Sequence, residues 1–473
     1  MLNEERRALH ARAADWLLQG GPIHRHDQPA VLAYHFERAG RDAEAVEAWL
    51  CAGRSALRRT ATKEAVAHLR EGIALVERLP RGASRRSKEI SLNCYLAMAS
   101  TAVSGWTGPN VYPPYKRALG LCRRHGPAEE KVLVLWGVTI AEVTNCQLAR
   151  ARSLAREFVQ AAREGSDEDA KLMANFAEML VSFYSGKLQK ARAEATSLFD
   201  RYDPVRRSKL LQAYQHDPKV VALVYLGHIE WILGRPARAR SHCEEARRLA
   251  TEGGHPFMIC YAHVVGASDH LYDRDYVANL ECIETGMEMA EEYGYPLYKL
   301  IGPLWATSAM VARGPAQHAL DRLCGVHSKM PPPESYIHAA LYQIMLAEEF
   351  GRVGDVEKAR ALAASAEAVI SRTGERWFEP EIYRVQASLA RLDPGRDHAA
   401  AYAFYQRALR TARKLNAVGW EMRTSVDLAS LFLEDGKTSK AREALVAALC
   451  KYEPEEATFD IRAARKLLSA ICD

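Results

Sequence analysis

Residues 227–239 read GHIEWILGRPARA, and this stretch decides the fold. The small residue Gly227 stands twelve positions before the small residue Ala239, with Gly234-Arg235-Pro236 between them. A glycine can end a helix in a left-handed cap, and proline is favoured in the first turn of a following helix. The stretch therefore predicts two helices joined by a tight turn, with small residues where the two helices face each other.

The same setting recurs along the whole chain, mostly at intervals of 39 to 42 residues. The small residues that open the second helix of each predicted pair are Ala65, Val111, Ala151, Ala191, Ala239, Ala278, Ala319, Ala359, Ala401 and Ala441. Such a period indicates stacked helical hairpins, each too small to bury its own apolar face. We therefore predict an all-α chain, a right-handed α–α superhelix (solenoid) of about ten hairpins over residues 41–473. Residues 1–40 are predicted to form a separate N-terminal helical segment.

The bulk composition is that of a soluble helical protein and excludes several classes. The 473 residues are 48% hydrophobic, with a formal net charge of +5, which is a weak charge for a nucleic-acid binder. Ten cysteines occur singly, without a C-x-x-C pair, which is typical of a reducing cytoplasm. The longest apolar run, 220–233, is interrupted by His228 and Glu230, so no membrane span is predicted. We expect a cytoplasmic protein that does not bind nucleic acid.

The pattern of small facing residues resembles the tetratricopeptide repeat, although the period here is longer than that family's usual 34 residues or so. A closer resemblance lies in particular segments, which are 6–12 (RRALHAR), 33–40 (AYHFERAG), 202–204 (YDP), 254–257 (GHPF) and 374–379 (GERWFE). These resemble the tetratricopeptide-like region of large bacterial multidomain proteins that join a signalling-type ATPase to an adenylate/guanylate cyclase or another effector.

That resemblance implies a regulatory domain whose ATPase and cyclase partners lie outside this sequence, with residues 1–40 as a remnant that follows the ATPase module. The chain departs from the family at 214–218, which read YQHDP where the family has Tyr-Gly-Gln-Asp-Pro. Arg207-Ser208 stands where the family has a His-Arg pair. Any role of that loop is therefore left open.

No motif in the chain completes a catalytic or metal site. Gly436-Lys437-Thr438 resembles the end of a phosphate-binding loop, but Leu431 occupies the place of its first glycine. His24, His26 and His35 are interpreted as solvated loop histidines rather than zinc ligands. Cys324 and His327 resemble a thiol–imidazole pair in composition only. We predict that the chain is not an enzyme and needs no cofactor or metal ion.

The concave face, lined by the first helices of the hairpins, is the better candidate for a site. Residues predicted to lie on it are Trp136, Phe183, His228, Trp231, His263, His270, Tyr383, Gln386 and Arg423. Aromatic and histidine side chains on such a face suit a partner segment of mixed polarity. The leading hypothesis is a protein-interaction scaffold that binds a partner peptide, a partner protein or an adjoining signalling domain.

The alternative hypothesis is a regulatory repeat domain that senses a small-molecule effector in an enclosed pocket, for which the irregular connector 200–218 is a candidate position. The N-terminal segment to Gly40 is also expected to expose an apolar surface, through which a homodimer could form.

Overall fold

The computed structural model describes residues 2–19, 28–59, 61–105, 108–125, 128–214, 216–312, 316–330, 332, 336–392 and 398–472. Within these ranges the regular structure is helical and no strand occurs. The α-helices are α1 Leu2–Leu18, α2 Gln28–Ala39, α3 Asp42–Arg58, α4 Thr62–Val76, α5 Ala83–Ser104, α6 Tyr112–His125, α7 Ala128–Thr144, α8 Leu148–Glu164, α9 Glu168–Tyr184, α10 Leu188–Arg201, α11 Arg207–Tyr214, α12 Pro218–Ile232, α13 Pro236–Gly253, α14 Pro256–Val264, α15 Ser268–Tyr272, α16 Tyr276–Glu292, α17 Pro296–Trp305, α18 Thr307–Ala312, α19 Ala316–His327, α20 Ala339–Arg352, α21 Val356–Thr373, α22 Glu379–Arg391, α23 His398–Leu415, α24 Val418–Glu434, α25 Thr438–Leu449 and α26 Phe459–Cys472. A 3₁₀ turn, Pro204–Arg206, precedes α11.

The predicted hairpins are confirmed. The ten second helices, α4, α6, α8, α10, α13, α16, α19, α21, α23 and α25, each begin within three residues of the corresponding small residue. Nine of these ten small residues are at most 1% exposed. Ala278 is the exception, because the buried place in that hairpin is taken by Asn279, whose Nδ2 donates to the carbonyl of Ala267 at 3.2 Å. The all-α class of tetratricopeptide-like hairpins is thus confirmed.

The tight turns follow the glycine pattern for a physical reason. Gly40, Gly186, Gly234, Gly354 and Gly436 all have φ between +70° and +93°, the left-handed region in which a Cβ is disfavoured. Gly436 therefore belongs to a hairpin turn, in agreement with the absence of a complete phosphate-binding motif. The sequence also predicts a tight turn at Arg313-Gly314-Pro315, and these residues lie outside the described ranges.

Several first helices begin with an aspartate or a proline that fixes their start. Asp217 accepts hydrogen bonds from the amides of Lys219 and Val220 at 3.0 and 3.4 Å, and Pro218 occupies the first turn of α12. This cap places the buried residues of α12 in register for the site described below.

The chain divides into two compact units. Unit 1 consists of Met1–Thr144, Arg150–Ala174 and Asp203–Gln215, and unit 2 of Asn145–Ala149, Asn175–Tyr202 and His216–Asp473. The helices α1 and α2 pack in series on α3 within unit 1. The interpretation of residues 1–40 as a remnant that follows another module stays a prediction.

Unit 2 brings hairpins together that are far apart in sequence. A Cβ on Gly419 of α24 would stand 2.7 Å from the carbonyl oxygen of Trp231, a residue in the last turn of α12. A Cβ on Gly234 would stand 2.7 Å from the Val418 side chain. The backbone amide of Arg376 donates to the carbonyl of Tyr184 at 2.8 Å. Hairpin α12–α13 is therefore in direct contact with hairpin α24–α25, and the end of α9 is in contact with the stretch that precedes α22.

Candidate functional site

In unit 1, Trp136, which was predicted to lie on the concave face, is covered by another part of the chain. Trp136 lies on α7 with 2% of its surface exposed. Its indole Nε1 donates to the carbonyl oxygen of Tyr214 at 3.3 Å, and the Tyr214 ring meets it edge-on with centroids 5.8 Å apart. Tyr214 is the last residue of the short connector helix α11, so this helix occupies the inner face of α7.

In unit 2, three predicted residues, Phe183, His228 and Trp231, form part of one buried aromatic group. We define the central cluster as Phe183, Tyr184, Tyr225, His228, Trp231, Tyr272, Trp305, His338, Trp377 and Trp420. Phe183 lies 4.8 Å from Trp377 between ring centroids, and Trp231 lies 4.8 Å from Trp420. His228 Nδ1 and the Tyr272 hydroxyl are hydrogen-bonded at 2.7 Å. Aromatic pairs in such edge-on and offset arrangements are stabilising beyond the area that they bury.

Trp377, which the sequence interpretation missed, stands at the middle of the central cluster. It belongs to the non-helical stretch between α21 and α22 and is fully buried. Its Nε1 donates to Glu375 Oε1 at 2.9 Å, and its carbonyl accepts from Trp420 Nε1 at 3.2 Å. The only sequence signal for it was the segment 374–379, which carried the family resemblance but no assigned role.

Arg423, the one cationic residue predicted on the concave face, is 7% exposed, and each of its guanidinium nitrogens donates a hydrogen bond. It donates to Asp460 Oδ2 at 2.9 Å and to the carbonyl of Tyr272 at 2.7 Å, a residue 151 positions earlier in the chain. A third contact joins it to Glu381 at 3.3 Å. Burial favours the neutral acid at Asp460, but the adjacent Arg423 and Arg274 hold the pKa of that carboxyl below its usual value. Arg423 thus joins α24 to α26 and to the end of α15.

A small cleft beside these residues is lined by Trp231, Pro236, Gly419, Met422, Tyr452, Thr458 and Asp460. It leaves no room for a water molecule, so the residues that line it are in close contact.

The remaining predicted residues lie outside the central cluster. His263 Nδ1 is 3.7 Å from Cys282 Sγ, and His270 Nε2 is 3.9 Å from Asp269. Tyr383 donates to Glu379 at 3.0 Å beneath the guanidinium of Arg407, and Gln386 donates to Glu367 at 2.9 Å. His263, His270 and Gln386 remain half-buried, whereas Tyr383 is 2% exposed. The structure therefore gathers Phe183, His228, Trp231 and Arg423 and leaves these four apart. That the nine residues bind a partner stays a prediction.

Beside the central cluster, buried polar groups lack partners. The hydroxyls of Tyr184 and Tyr225 are hydrogen-bonded at 2.5 Å, and Tyr184 also meets His338 Nε2 at 3.3 Å. Buried polar atoms of this part of unit 2 that have no hydrogen-bond partner are Glu375 Oε2, Tyr336 Oη and Gln343 Oε1. Each such atom is costly unless water or a ligand satisfies it, at about 1–3 kcal/mol.

Burial also shifts the protonation of this region in two directions. It lowers the pKa of His228 to about 3, with a smaller contribution in the same direction from His338, whose own pKa burial lowers to about 3. It raises the pKa of Glu375 to about 7. The surroundings of His228, His338 and Glu375 therefore favour neutral imidazoles and a neutral carboxyl.

These shifts predict opposite pH dependences for two variants. Below about pH 6.5 an unfolded imidazole takes up a proton that buried His228 does not, so wild-type stability falls by up to ~1.4 kcal/mol per pH unit for this group. The stability advantage of wild type over His228→Gln should therefore shrink between pH 6.5 and 4.5. Folded Glu375 takes up its proton near pH 7, before the unfolded carboxyl does, so the advantage of wild type over Glu375→Gln should grow over the same range. Urea unfolding at several pH values measures both, and gaps that stay constant with pH would contradict the assignment.

Among the described residues, no group of three or more His, Cys, Asp or Glu side chains is arranged to hold a metal ion. The interpretation of His35 as a solvated loop histidine is wrong, because His35 lies half-buried on α2 with its Nδ1 3.0 Å from that of His10. His24 and His26 lie outside the described residues. Cys324 is exposed on α19, where Lys358 Nζ lies 3.4 Å from its sulfur. In the described parts of the chain, no helix combines the length and the apolar character that a membrane crossing requires.

Comparisons with known proteins support the fold. No family model matches the chain. An uncharacterized protein of Rhizobium meliloti (strain 1021) is 20% identical over 412 residues, which is 85% of this chain and 39% of that protein. The chain therefore spans well under half the length of this curated relative.

Among solved structures, a Rap protein complexed with Competence and Sporulation Factor superposes with a TM-score of 0.51 at 14% identity, over 79% of this chain and 99% of that one. A signal transduction ATPase with numerous domains from Pyrococcus horikoshii, which has a tetratricopeptide repeat sensor, gives a TM-score of 0.46 at 12% identity, over 83% of this chain and 55% of that one. The chain has a fold of tetratricopeptide-like helical repeats.

Proposed function

We propose that this chain is a non-enzymatic interaction module whose inner helical faces bind a segment of a partner protein or of an adjoining signalling domain. One observation carries the proposal: the inner face at Trp136 already holds a short helix, α11, by a hydrogen bond and an aromatic contact. A face that accepts eight residues of its own chain has the shape and chemistry to accept a similar segment from elsewhere. That the module works beside an ATPase or a cyclase is part of the same proposal.

The buried state of the central cluster restricts where a partner can lie in unit 2. Phe183, Trp231 and Arg423 are saturated by contacts with one another and with their neighbours, so they support the inner face from beneath. The half-buried residues His263, His270 and Gln386 are the groups that a partner segment can reach there. Substitutions of Trp231 or Arg423 would therefore test stability rather than binding.

A photo-crosslinking experiment tests the proposal while leaving the central cluster and Arg423 unchanged. A benzophenone amino acid is placed at His270 or Gln386 on first helices, and at the exposed residues Arg248 and Arg410 on second helices as matched controls. We expect crosslinks from the inner positions to one short segment of a partner, and binding of a synthetic copy of that segment to the purified chain. Equal crosslinking from inner and outer positions, or a segment that does not bind, would sink the proposal.

A second candidate, the sensing of a small polar effector, is favoured by the unpartnered polar atoms of Glu375, Tyr336 and Gln343. A ligand with two donors for the Glu375 and Gln343 oxygens and one polar group for the Tyr336 hydroxyl would satisfy them. This candidate gains weight if the inner positions give no crosslinks and a metabolite screen finds a compound that raises the melting temperature of wild type but not of Glu375→Gln.

A further inference from the structure

The connector between α10 and α12 folds back onto unit 1 as a separate short element. Asp203 begins the 3₁₀ turn Pro204–Arg206 by accepting from the amide of Val205 at 2.9 Å, and α11 follows directly. Val205 itself is 90% exposed, so the tip of the connector stands in solvent. An isolated helix of eight residues is not stable in water, and α11 is therefore helical because it is docked.

Two apolar side chains and two cations hold the connector. Leu210 is 1% exposed and Tyr214 6% exposed, with Tyr214 against Trp136. Arg206 and Lys209 each reach a different carboxylate oxygen of Asp169, both at 2.8 Å, and Arg206 also lies 3.8 Å from Asp167. We call the surface formed by Trp136, Asp167 and Asp169 the connector seat.

The charge of Asp169 determines what the connector seat can hold. Its side chain is only 5% exposed, and the two cations that pair with it belong to the connector. If the connector left without a replacement, a carboxylate with little access to water would lose its counter-charges, which is strongly unfavourable. Any segment that takes the place of α11 must therefore bring a basic side chain to Asp169 as well as an apolar one to Trp136.

We propose that the connector seat binds, in exchange for α11, a short amphipathic helix of a partner protein with the pattern of the connector itself. That pattern is two basic residues three positions apart, an apolar residue directly after the second, and an aromatic residue four positions further, as in Arg206, Lys209, Leu210 and Tyr214. The inference rests on the proposed function and names the partner chemistry for one inner face. The tether gives α11 a high effective concentration at the seat, so the intact connector limits access for partners.

The test uses the full chain and a fluorescent peptide with the sequence of residues 203–216. The seat is vacated by a connector variant, Lys209→Ala with Leu210→Ala, which changes no residue of the seat. We expect the peptide to bind this variant at least tenfold more tightly than wild type, because the tethered helix no longer competes. Adding Asp169→Asn to the variant, or reversing both charges of the peptide by Arg206→Glu and Lys209→Glu, should each weaken binding at least tenfold.

Equal binding to wild type and to the connector variant, no binding to either, or equal binding of the charge-reversed peptide would overturn the proposal. Amide hydrogen exchange of the wild-type chain guards against a variant that fails to fold. We expect the amides of 207–214 to exchange faster than those of α7, because α11 detaches while unit 1 stays folded. Equal protection of α11 and α7 would also overturn the proposal that a partner helix replaces α11. If the peptide fails here while the crosslinks at His270 or Gln386 succeed, only the partner chemistry is wrong and the interaction function stands.

Discussion

Replacement of Arg384 by methionine is expected to lower the free energy of unfolding by about 3–5 kcal/mol. Arg384 is 2% exposed and donates two hydrogen bonds of 2.8 Å to the carboxylate of Glu381. It also pairs with Glu348 at 2.9 Å and with Asp427 at 2.8 Å. Methionine fills a similar volume but leaves three carboxylates without their shared cation, so the loss comes from uncompensated charge rather than from a cavity.

The carboxylate of Glu348 depends on Arg384 to stay ionised. Burial favours the neutral acid at Glu348, yet Arg384 and Arg352 hold the pKa of this carboxyl well below its usual value. The measurement is urea unfolding followed by circular dichroism, with Arg248→Met as the control. Arg248 also bridges two glutamates, but on the exposed face of α13, where ion pairs contribute little. An Arg384→Met midpoint that matches the Arg248→Met midpoint would show that the network adds nothing to stability.

Replacement of Gly419 by valine should separate α24 from α12 and destabilise unit 2 by about 3 kcal/mol or more. An added Cβ would stand 2.7 Å both from the Trp231 carbonyl oxygen and from its ring. A carbonyl at the end of a packed helix cannot move away cheaply, unlike the end of a flexible side chain. The strain falls where hairpin α24–α25 meets hairpin α12–α13, beside Trp231 and Trp420, so the central cluster should open as well.

Gly325→Ala is the matched control, because Gly325 also lies inside a helix of unit 2 but has open space around it. Alanine there should leave stability unchanged or raise it by up to about 1 kcal/mol through helix propensity. Thermal unfolding monitored by tryptophan fluorescence distinguishes the two, since Trp231 and Trp420 report on the contact. Equal melting temperatures for Gly419→Val and wild type would mean that α12 and α24 do not touch in solution.

The inner faces show where interpretation of the sequence stops. Phe183, His228, Trp231 and Arg423 lie on α9, α12 and α24, the first helices of their hairpins, and the sequence could place them there because helical spacing within one hairpin is local. The spacing contained nothing about Trp377, which fills the space among them from a connector. Trp136 was likewise assigned to the inner face, yet only the folded chain shows that Tyr214 covers it.

The sequence by itself determined the hairpins: small residues at fixed spacing let two helices approach, glycines with positive φ end one helix, and aspartate or proline begins the next. These interactions join residues within about forty positions of each other, and the same interactions recur in each repeat. The tertiary structure alone decided which inner-face residues are buried and by what. The rotation from one hairpin to the next is small and accumulates over several repeats, so contacts such as Arg423 to the Tyr272 carbonyl, 151 residues apart, depend on all the repeats between them.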